Sequence, residues 1–497
     1  MNAQWLKPRE LRERIIVTGI LTLESPTHIG NDDGDGLLDM PIHLDAFEGI
    51  PLLPGSTLAG ALRNYVRQHD ESLAKTLFGQ VSSREDGTGE SVSRTSESLF
   101  IIDDALGYAP AGPWRLELRD GVAIDPKTRT ASDAQKYDIE LLAAGTQFPL
   151  SFELCLRARE DQTALLQAFA VALDGLAKGQ IHLGKRKRRG FGRCRVDGWQ
   201  IARFNMQSTA GMLDWLRHDP IQALDQAKTA TPETLVQDIF QGLHVSALIV
   251  QPFICTVNAY FRLDSSLLIR SSPDDGDDAD TVHLRSWRKD GNGYQQKPVL
   301  SGTSLAGALR ARALRIANTV GKRGATFIDS LFGYRMKDTA EERDRIKRGD
   351  NPLTASRLWV EETEVKQPKP LVQSRVKIDR FTGGSFPGAL FSQEAIWGTD
   401  KTRINVKLNL QVAASDARKD AEIGLLLLLL KDLWTGDLPL GGESSVGRGR
   451  LTGEHATVTI DEQEWTFQAD EAGRLAITGG NSASLEQYVQ RFLEEVA

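Results

Sequence analysis

Residues 53–63 read LPGSTLAGALR, and residues 300–310 read LSGTSLAGALR. Two of the three differences between them only exchange Ser and Thr. Working outward, the matches continue in the same order: Leu77-Phe78-Gly79 answers Leu331-Phe332-Gly333, and LFIIDD (99–104) answers LWVEET (358–363). Glu140 with Gly145-Thr146 recurs as Glu394 with Gly398-Thr399. Leu183-Gly184, Gly190, Gly192 and Arg193 recur as Leu440-Gly441, Gly447, Gly449 and Arg450. Ordered self-similarity over this length means that one domain occurs twice.

Each copy carries the same alternation of elements. Phe148, Leu150, Phe152 and Leu154 alternate with Pro149, Ser151 and Glu153, as do Ile404, Val406 and Leu408 with Asn405 and Lys407. Period two predicts strands with one dry face. Leu165, Phe169, Ala172, Leu173 and Leu176 follow at helical spacing, and Ile423–Leu433 follows in the second copy. Opening strands at Ile15–Leu23 and Thr256–Leu263 come before the Gly-Ser/Thr helix starts. The order strand, helix, strands, helix, Gly-rich hairpin, strand predicts an α+β protein of two tandem ferredoxin-like (RRM-like) domains with insertions. The expected boundaries are 1–200 for the first domain, 201–245 for an ordered linker, 246–456 for the second domain and 457–497 for a C-terminal extension. Residues 80–98 read as a mobile loop and 338–350 as a solvated turn of helix.

The 497 residues include 60 Lys+Arg and 67 Asp+Glu, a net charge of −7; 40% are hydrophobic and 26% charged, which excludes global disorder. The apolar run Ile423–Leu430 is far shorter than the roughly 20 residues that span a bilayer. No secretory signal is expected at the N-terminus, and Cys155, Cys194 and Cys255 form no CxxC pair. A cytoplasmic protein without disulfides is the expectation.

Several clusters carry chemistry, each with a bland counterpart. Gly55-Ser56 and Gly302-Thr303 read as N-caps, where free amides would hold a phosphate and Arg63 or Arg310 would reach a second one. Close helix packing explains the same residues. LGKRKRRGFGRCRV (183–196) holds Lys185, Arg186, Lys187, Arg188, Arg189, Arg193 and Arg195 with no acid among them, a reversal of sign in an acidic chain. There Gly190 and Gly192 permit close backbone approach and Phe191 offers a ring face to a base. The second copy keeps Arg448 and Arg450 but replaces the basic run by Glu443-Ser444-Ser445. The loop after the first strand contains Asp32, Asp33, Asp35 and Asp39, hard oxygen donors suited to Mg²⁺; a polar solvated loop fits equally. Asp274, Asp275, Asp277, Asp278 and Asp280 stand in the corresponding second loop. His43 and His283 match between copies and read as structural. P-loop, Rossmann and HExxH patterns do not occur.

Thr27-His28-Ile29-Gly30, Asp39-Met40-Pro41-Ile42 and the run from Ile50 to Arg63 are similar to the opening of RAMP-superfamily backbone subunits of type III CRISPR effector complexes. RVKIDRFTGGSFPGALF (375–391) with Glu394 resembles that family's central insertion, and both Gly-rich hairpins resemble its C-terminal signature. Two fused copies look most like the tandem subunit of the type III-D branch.

The resemblance implies domains aligned along a guide RNA, a thumb-like hairpin wedged into the guide–target duplex, and neighbouring RAMP subunits and a large subunit as partners, without a membrane. RNA contacts then fall on His28, Gly55, Ser56, Arg63, Thr303, Arg310, Arg380, Arg448, Arg450 and the basic hairpin. The family's catalytic aspartate carries over to Asp39. In the second copy the same position falls on Ala279 with Asp278 and Asp280 on either side, which leaves a second site open. Cutting RNA requires in-line alignment of a ribose hydroxyl with its phosphodiester. It also requires proton removal and charge neutralisation, the last expected from Mg²⁺ or Mn²⁺ near Asp39 and Asp33. A scaffold without catalysis, and processing of a guide precursor by a histidine such as His28 or His43, are the alternatives.

Overall fold

The computed structural model describes residues 11–30, 39–85, 91–219, 253–334, 354–469 and 475–497, less 111, 126–127, 129, 159–160, 275, 292, 323 and 414, together with 344–345 and 347–348.

In the first copy, strand Leu11–Leu23 lies between Gln147–Arg157 and Cys194–Asn205, and Phe100–Ile102 pairs with the outer side of Gln147–Arg157. The sheet order is therefore fourth, first, third, second strand, the ferredoxin-like order. The register sets Ile15 opposite Leu154, Val17 opposite Phe152 and Leu21 opposite Phe148, and all six side chains are buried. Helices Gly55–His69 and Gln162–Ala177 cover that face. The first buries Leu58, Leu62, Tyr65 and Val66, spaced so that they share one stripe. Phe152 is fully buried among Phe100 and Trp199, and truncating it to Ala would cost about 3–5 kcal/mol.

The second copy repeats the order. Leu451–Ile460, Cys255–Leu263 and Arg403–Leu410 are followed by Leu358–Val360 and Thr363–Lys366, both paired with Arg403–Leu410. Helices Gly302–Val320 and Lys419–Trp434 cover its inner face. Strand Leu451–Ile460 runs through the expected boundary at 456. Gln463–Ala469 and Leu475–Gly479 then extend the same sheet, and helix Ser482–Val496 packs on the core through Leu485, Phe492 and Val496.

Between its second and third core strands each copy extrudes a long hairpin, Leu116–Ile124 with Ala131–Leu142 in the first and Lys369–Ile378 with Ser385–Trp397 in the second. Sequence reasoning placed only the tips and return strands. Residues expected as a mobile loop instead pair as the hairpin Gln80–Glu85 with Ser91–Ser96. Polar alternation had concealed it. Of the expected linker, 201–219 is a strand end followed by helix Thr209–Arg217; 220–245 lies outside the described residues, as does most of 338–350.

Candidate functional site

After the first strand the chain turns back along the root of the hairpin. Thr27 bridges Leu142, Gly30 bridges Ile42, and Met40 runs parallel to Ile139. This holds the exposed Asp39 at the foot of the return strand, where its Oδ2 accepts a hydrogen bond from the Asp138 amide at 2.9 Å. The Asp120 side chain on the outgoing strand, slight desolvation and the charge of Asp39 lift the Asp138 carboxyl above its usual range against the pull of Lys136. Three carboxylates thus converge on one exposed rim. Asp33 lies outside the described residues, as do all of 31–38. Among the described residues no group of three or more His, Cys, Asp or Glu side chains is placed to hold a metal.

The second copy repeats this geometry one residue away from the position that sequence matching indicates. Thr281 runs parallel to Gln393 as Met40 does to Ile139. The Leu284 amide donates to the Ile269 carbonyl at 2.8 Å as the His43 amide donates to the Ile29 carbonyl at 2.7 Å. The counterpart of Asp39 is therefore Asp280, and that of His43 is Leu284. The Asp280 Oδ2 accepts from the Ser392 amide at 2.7 Å and the Ser392 hydroxyl at 2.9 Å, which holds its carboxyl below the usual range. Ala279 is buried, and Asp278 beside it is exposed. The slip arises because His283 occupies the buried position of Ile42, where its Nδ1 accepts from the Ile269 amide at 3.2 Å and its Nε2 donates to the Val299 carbonyl at 3.0 Å. Burial pushes this imidazole down to about 4.

The basic run divides between two tasks. Lys185 is exposed, and Arg186 stacks on Tyr137, one residue from Asp138, and donates to its hydroxyl. These two cations share the hairpin root with Asp39. Three others turn toward the second copy. Arg188 lies over the Trp359 ring, Arg189 donates to the Phe332 carbonyl at 3.0 Å, and Arg193 pairs with Glu361 at 3.0 Å. Burial lowers Arg189 to about 10, with Arg310, Arg188 and Arg186 adding repulsion. Phe191, expected to offer a ring to a base, is 2% exposed and packs with Ile139 and Leu141 under Tyr137 and Met40. Gly190 is pressed against the Glu362 backbone, so its freedom serves the junction between copies.

Sequence reasoning missed the centre of that junction. Arg119 pairs with Glu117 and Glu362, Arg288 also pairs with Glu362, and the Glu117 carboxylate accepts from the Ser286 hydroxyl and the Trp287 amide, both at 2.9 Å. Burial opposes ionisation of Glu362, but Arg119 and Arg288 together hold its carboxyl below the usual range. Two acids and two guanidinium groups balance in a dry contact. The available signal was the acidic pair Glu361-Glu362, repeated as Asp103-Asp104.

Other expected phosphate ligands are engaged internally. The Gly55 amide donates to Asp104 Oδ1 at 2.6 Å, with Pro54 at the N-cap, so Ser56 does not cap the helix. Ser301, rather than Thr303, caps the second helix by accepting from the Ser304 amide at 3.2 Å. Arg63 and Arg310 donate to the Gly79 and Gly333 carbonyls and close the turns after the next helices. His28 is fully buried, with Nδ1 on the Glu140 carbonyl at 2.9 Å, and burial lowers its pKa. Arg448 is 3% exposed and held by Glu443 and Gln373. Arg450 and the hairpin-tip Arg380 remain exposed.

Two ferredoxin-like domains in tandem, each with an extruded hairpin, a Gly-rich loop at its root and an aspartate between them, define a duplicated two-domain scaffold. The chain belongs to the RAMP superfamily, whose family model matches residues 20–195 and again 289–452. It is also similar to the CRISPR system Cms endoribonuclease Csm3 of Streptococcus thermophilus, with 27% identity over 191 residues, 35% of this chain and 82% of that protein. Among the described residues no helix is long and apolar enough to cross a membrane.

Proposed function

We propose that the chain is a guide-RNA-binding backbone subunit of a type III CRISPR effector complex that cuts the bound target RNA, flanked by other RAMP subunits and a large subunit. The observation that carries the reading is the carboxylate of Asp39, fixed on the Asp138 amide at the root of a hairpin and duplicated as Asp280 on Ser392. The name of the Streptococcus thermophilus relative supports it.

Each part of the root has a task. The hairpins carry exposed apolar side chains, among them Leu118, Val122 and Ile124 in the first and Ile378, Phe381 and Leu390 in the second. Such side chains can wedge between base steps and splay a strand out of its duplex. Lys185 and Arg186 hold the backbone beside Asp39, and the amide of Asp138 aims that carboxylate, which accepts or orients the proton of the attacking ribose hydroxyl. The described residues offer no closed metal cage, so Mg²⁺ or Mn²⁺ here would be carried mainly by RNA phosphates and water, with Asp39 as one oxygen donor. When bound, the ion neutralises charge on the phosphoryl oxygens. Processing by histidine finds no support at His28, which is fully buried.

The test is cutting of a labelled RNA by the assembled complex. Complementary RNA should be cut at positions fixed relative to the guide, and Asp39→Ala should remove one of the cuts while RNA binding persists. Cutting that ignores complementarity, or that survives Asp39→Ala and Asp280→Ala together, would refute the proposal.

A further inference from the structure

The two hairpin roots carry their charges in exchanged places. In the first copy Arg186, left-handed at φ 57°, stacks on Tyr137, which lies opposite Gly121 on the outgoing strand. In the second copy Glu443 takes the same left-handed place at φ 60°. Its partner comes from the hairpin, where Arg375, opposite Phe391, stands in the place of Gly121. Arg270 follows Ile269, the counterpart of Ile29, and so stands in the place of Gly30. The cations have moved from the Gly-rich loop to the elements that face it.

Beneath this exchange the first root is apolar and the second polar. Phe191, packed with Ile139 and Leu141, is replaced by Arg448, and Ile139 by Gln393, both 3% exposed. Arg448 donates through Nη2 to Gln373 Oε1 at 2.6 Å and leaves Nη1 without a hydrogen-bond partner. Gln393, opposite Gln373, leaves its Oε1 without one. Glu443 closes the cluster, its carboxylate 2.8 Å from Arg375, 3.2 Å from Arg448 and 3.5 Å from Arg270. The buried Oε2 nevertheless receives no aligned hydrogen bond. Three guanidinium groups thus share one ill-seated carboxylate. Burial, with Arg375 and Arg270, holds the Arg448 guanidinium below its usual range against the pull of Glu443. Surplus cation with unmade buried hydrogen bonds is unfavourable until a further anion completes the cluster.

We propose that Arg270, Arg375 and Arg448 grip a phosphodiester of the RNA strand that passes Asp280, and that Glu443 occupies this grip until RNA displaces it. The inference rests on the reading of the chain as an RNA-binding subunit and adds that its second root blocks itself. A phosphate brings several acceptor oxygens to guanidinium groups that Glu443 satisfies only in part, and the guanidinium fork matches that geometry. Position selects the ligand: Gln393 runs beside Thr281, one residue beyond the contact of Ser392 with Asp280. Displacement frees the Glu443 carboxylate to solvent and completes the hydrogen bonds that it leaves unmade.

Binding of a fluorescent single-stranded RNA to the purified full-length chain, titrated at several salt concentrations, tests this. Glu443→Gln should tighten binding several-fold at the wild-type melting temperature. Arg270→Ala and Arg375→Ala should each lower the log–log salt slope by about 0.7, the share of one phosphate contact. With both arginines changed, Glu443→Gln should gain almost nothing. Unchanged affinity in Glu443→Gln, unchanged slopes in the arginine variants, or a Glu443→Gln gain that survives loss of both arginines, which is the effect of net charge alone, would each overturn the proposal. Arg270 is exposed, so its slope reads the grip even where Glu443→Gln lowers the melting temperature. A wild type that binds no RNA would overturn the functional reading as well, so the two failures give different results.

Discussion

Asp39 and Asp280 stand on the same rung of the two copies: one accepts from the Asp138 amide at 2.9 Å, the other from the Ser392 amide at 2.7 Å, each one residue before a short parallel contact with its hairpin. The surroundings differ, because Asp39 lies beside Asp138, whose carboxyl also feels Asp120, while Asp280 also holds a serine hydroxyl.

Two equivalent carboxylates predict two separate cuts. Asp39→Ala should remove one product band, Asp280→Ala the other, and Asp278→Ala neither. Electrophoresis of a labelled target reads this directly, and loss of both bands from Asp39→Ala with intact RNA binding would show a single scissile phosphate.

The basic run should split by function. Lys185→Ala and Arg186→Ala should each lower the salt dependence of RNA binding by about 0.7 in log–log slope, the share of one single-strand phosphate contact. Changing Arg188 and Arg189 should leave that slope and lower the melting temperature, since these side chains join the copies. Titrations at several salt concentrations separate the two groups.

Arg119→Ala strands Glu117 and Glu362 in a dry contact and is predicted to cost about 3–5 kcal/mol, read by denaturant unfolding. Arg119→Met with Glu362→Gln should cost less than either change alone. Additive losses would mean that the network is not coupled.

Glu422, fully buried beside Arg357 at 3.0 Å, has its carboxyl pushed by burial from 4.5 up to about 7, with Arg357 opposing. Because the folded value is the higher one, the stability linked to this proton is complete below the unfolded value and is lost as pH rises through about 7. Between pH 5 and 8 the wild type should lose melting temperature relative to Glu422→Gln. Parallel curves would contradict the assignment.

Much of the fold was legible because both copies carry its marks: alternation in Gln147–Arg157 and Arg403–Leu410, helical spacing after each, and glycines forced by left-handed backbone at 190, 192, 447 and 449. Burial between the copies was not legible. Arg188 and Arg189 read alike whether they face water or Trp359 and Phe332, since only tertiary docking decides. The second aspartate was displaced by one residue because identical histidines drew the match, while backbone pairing places Ile42, not His43, opposite the role of His283. Glu117 and Arg119 gave no pattern, being two polar residues on a strand whose other face is exposed.

The central claim is that this tandem chain works along a guide RNA, and sequencing the RNA that copurifies with the native complex tests it most directly. The account predicts short RNAs that share one uniform repeat-derived end and differ in the remainder. A heterogeneous sample of cellular transcripts without a common end, at stoichiometric recovery, would contradict it.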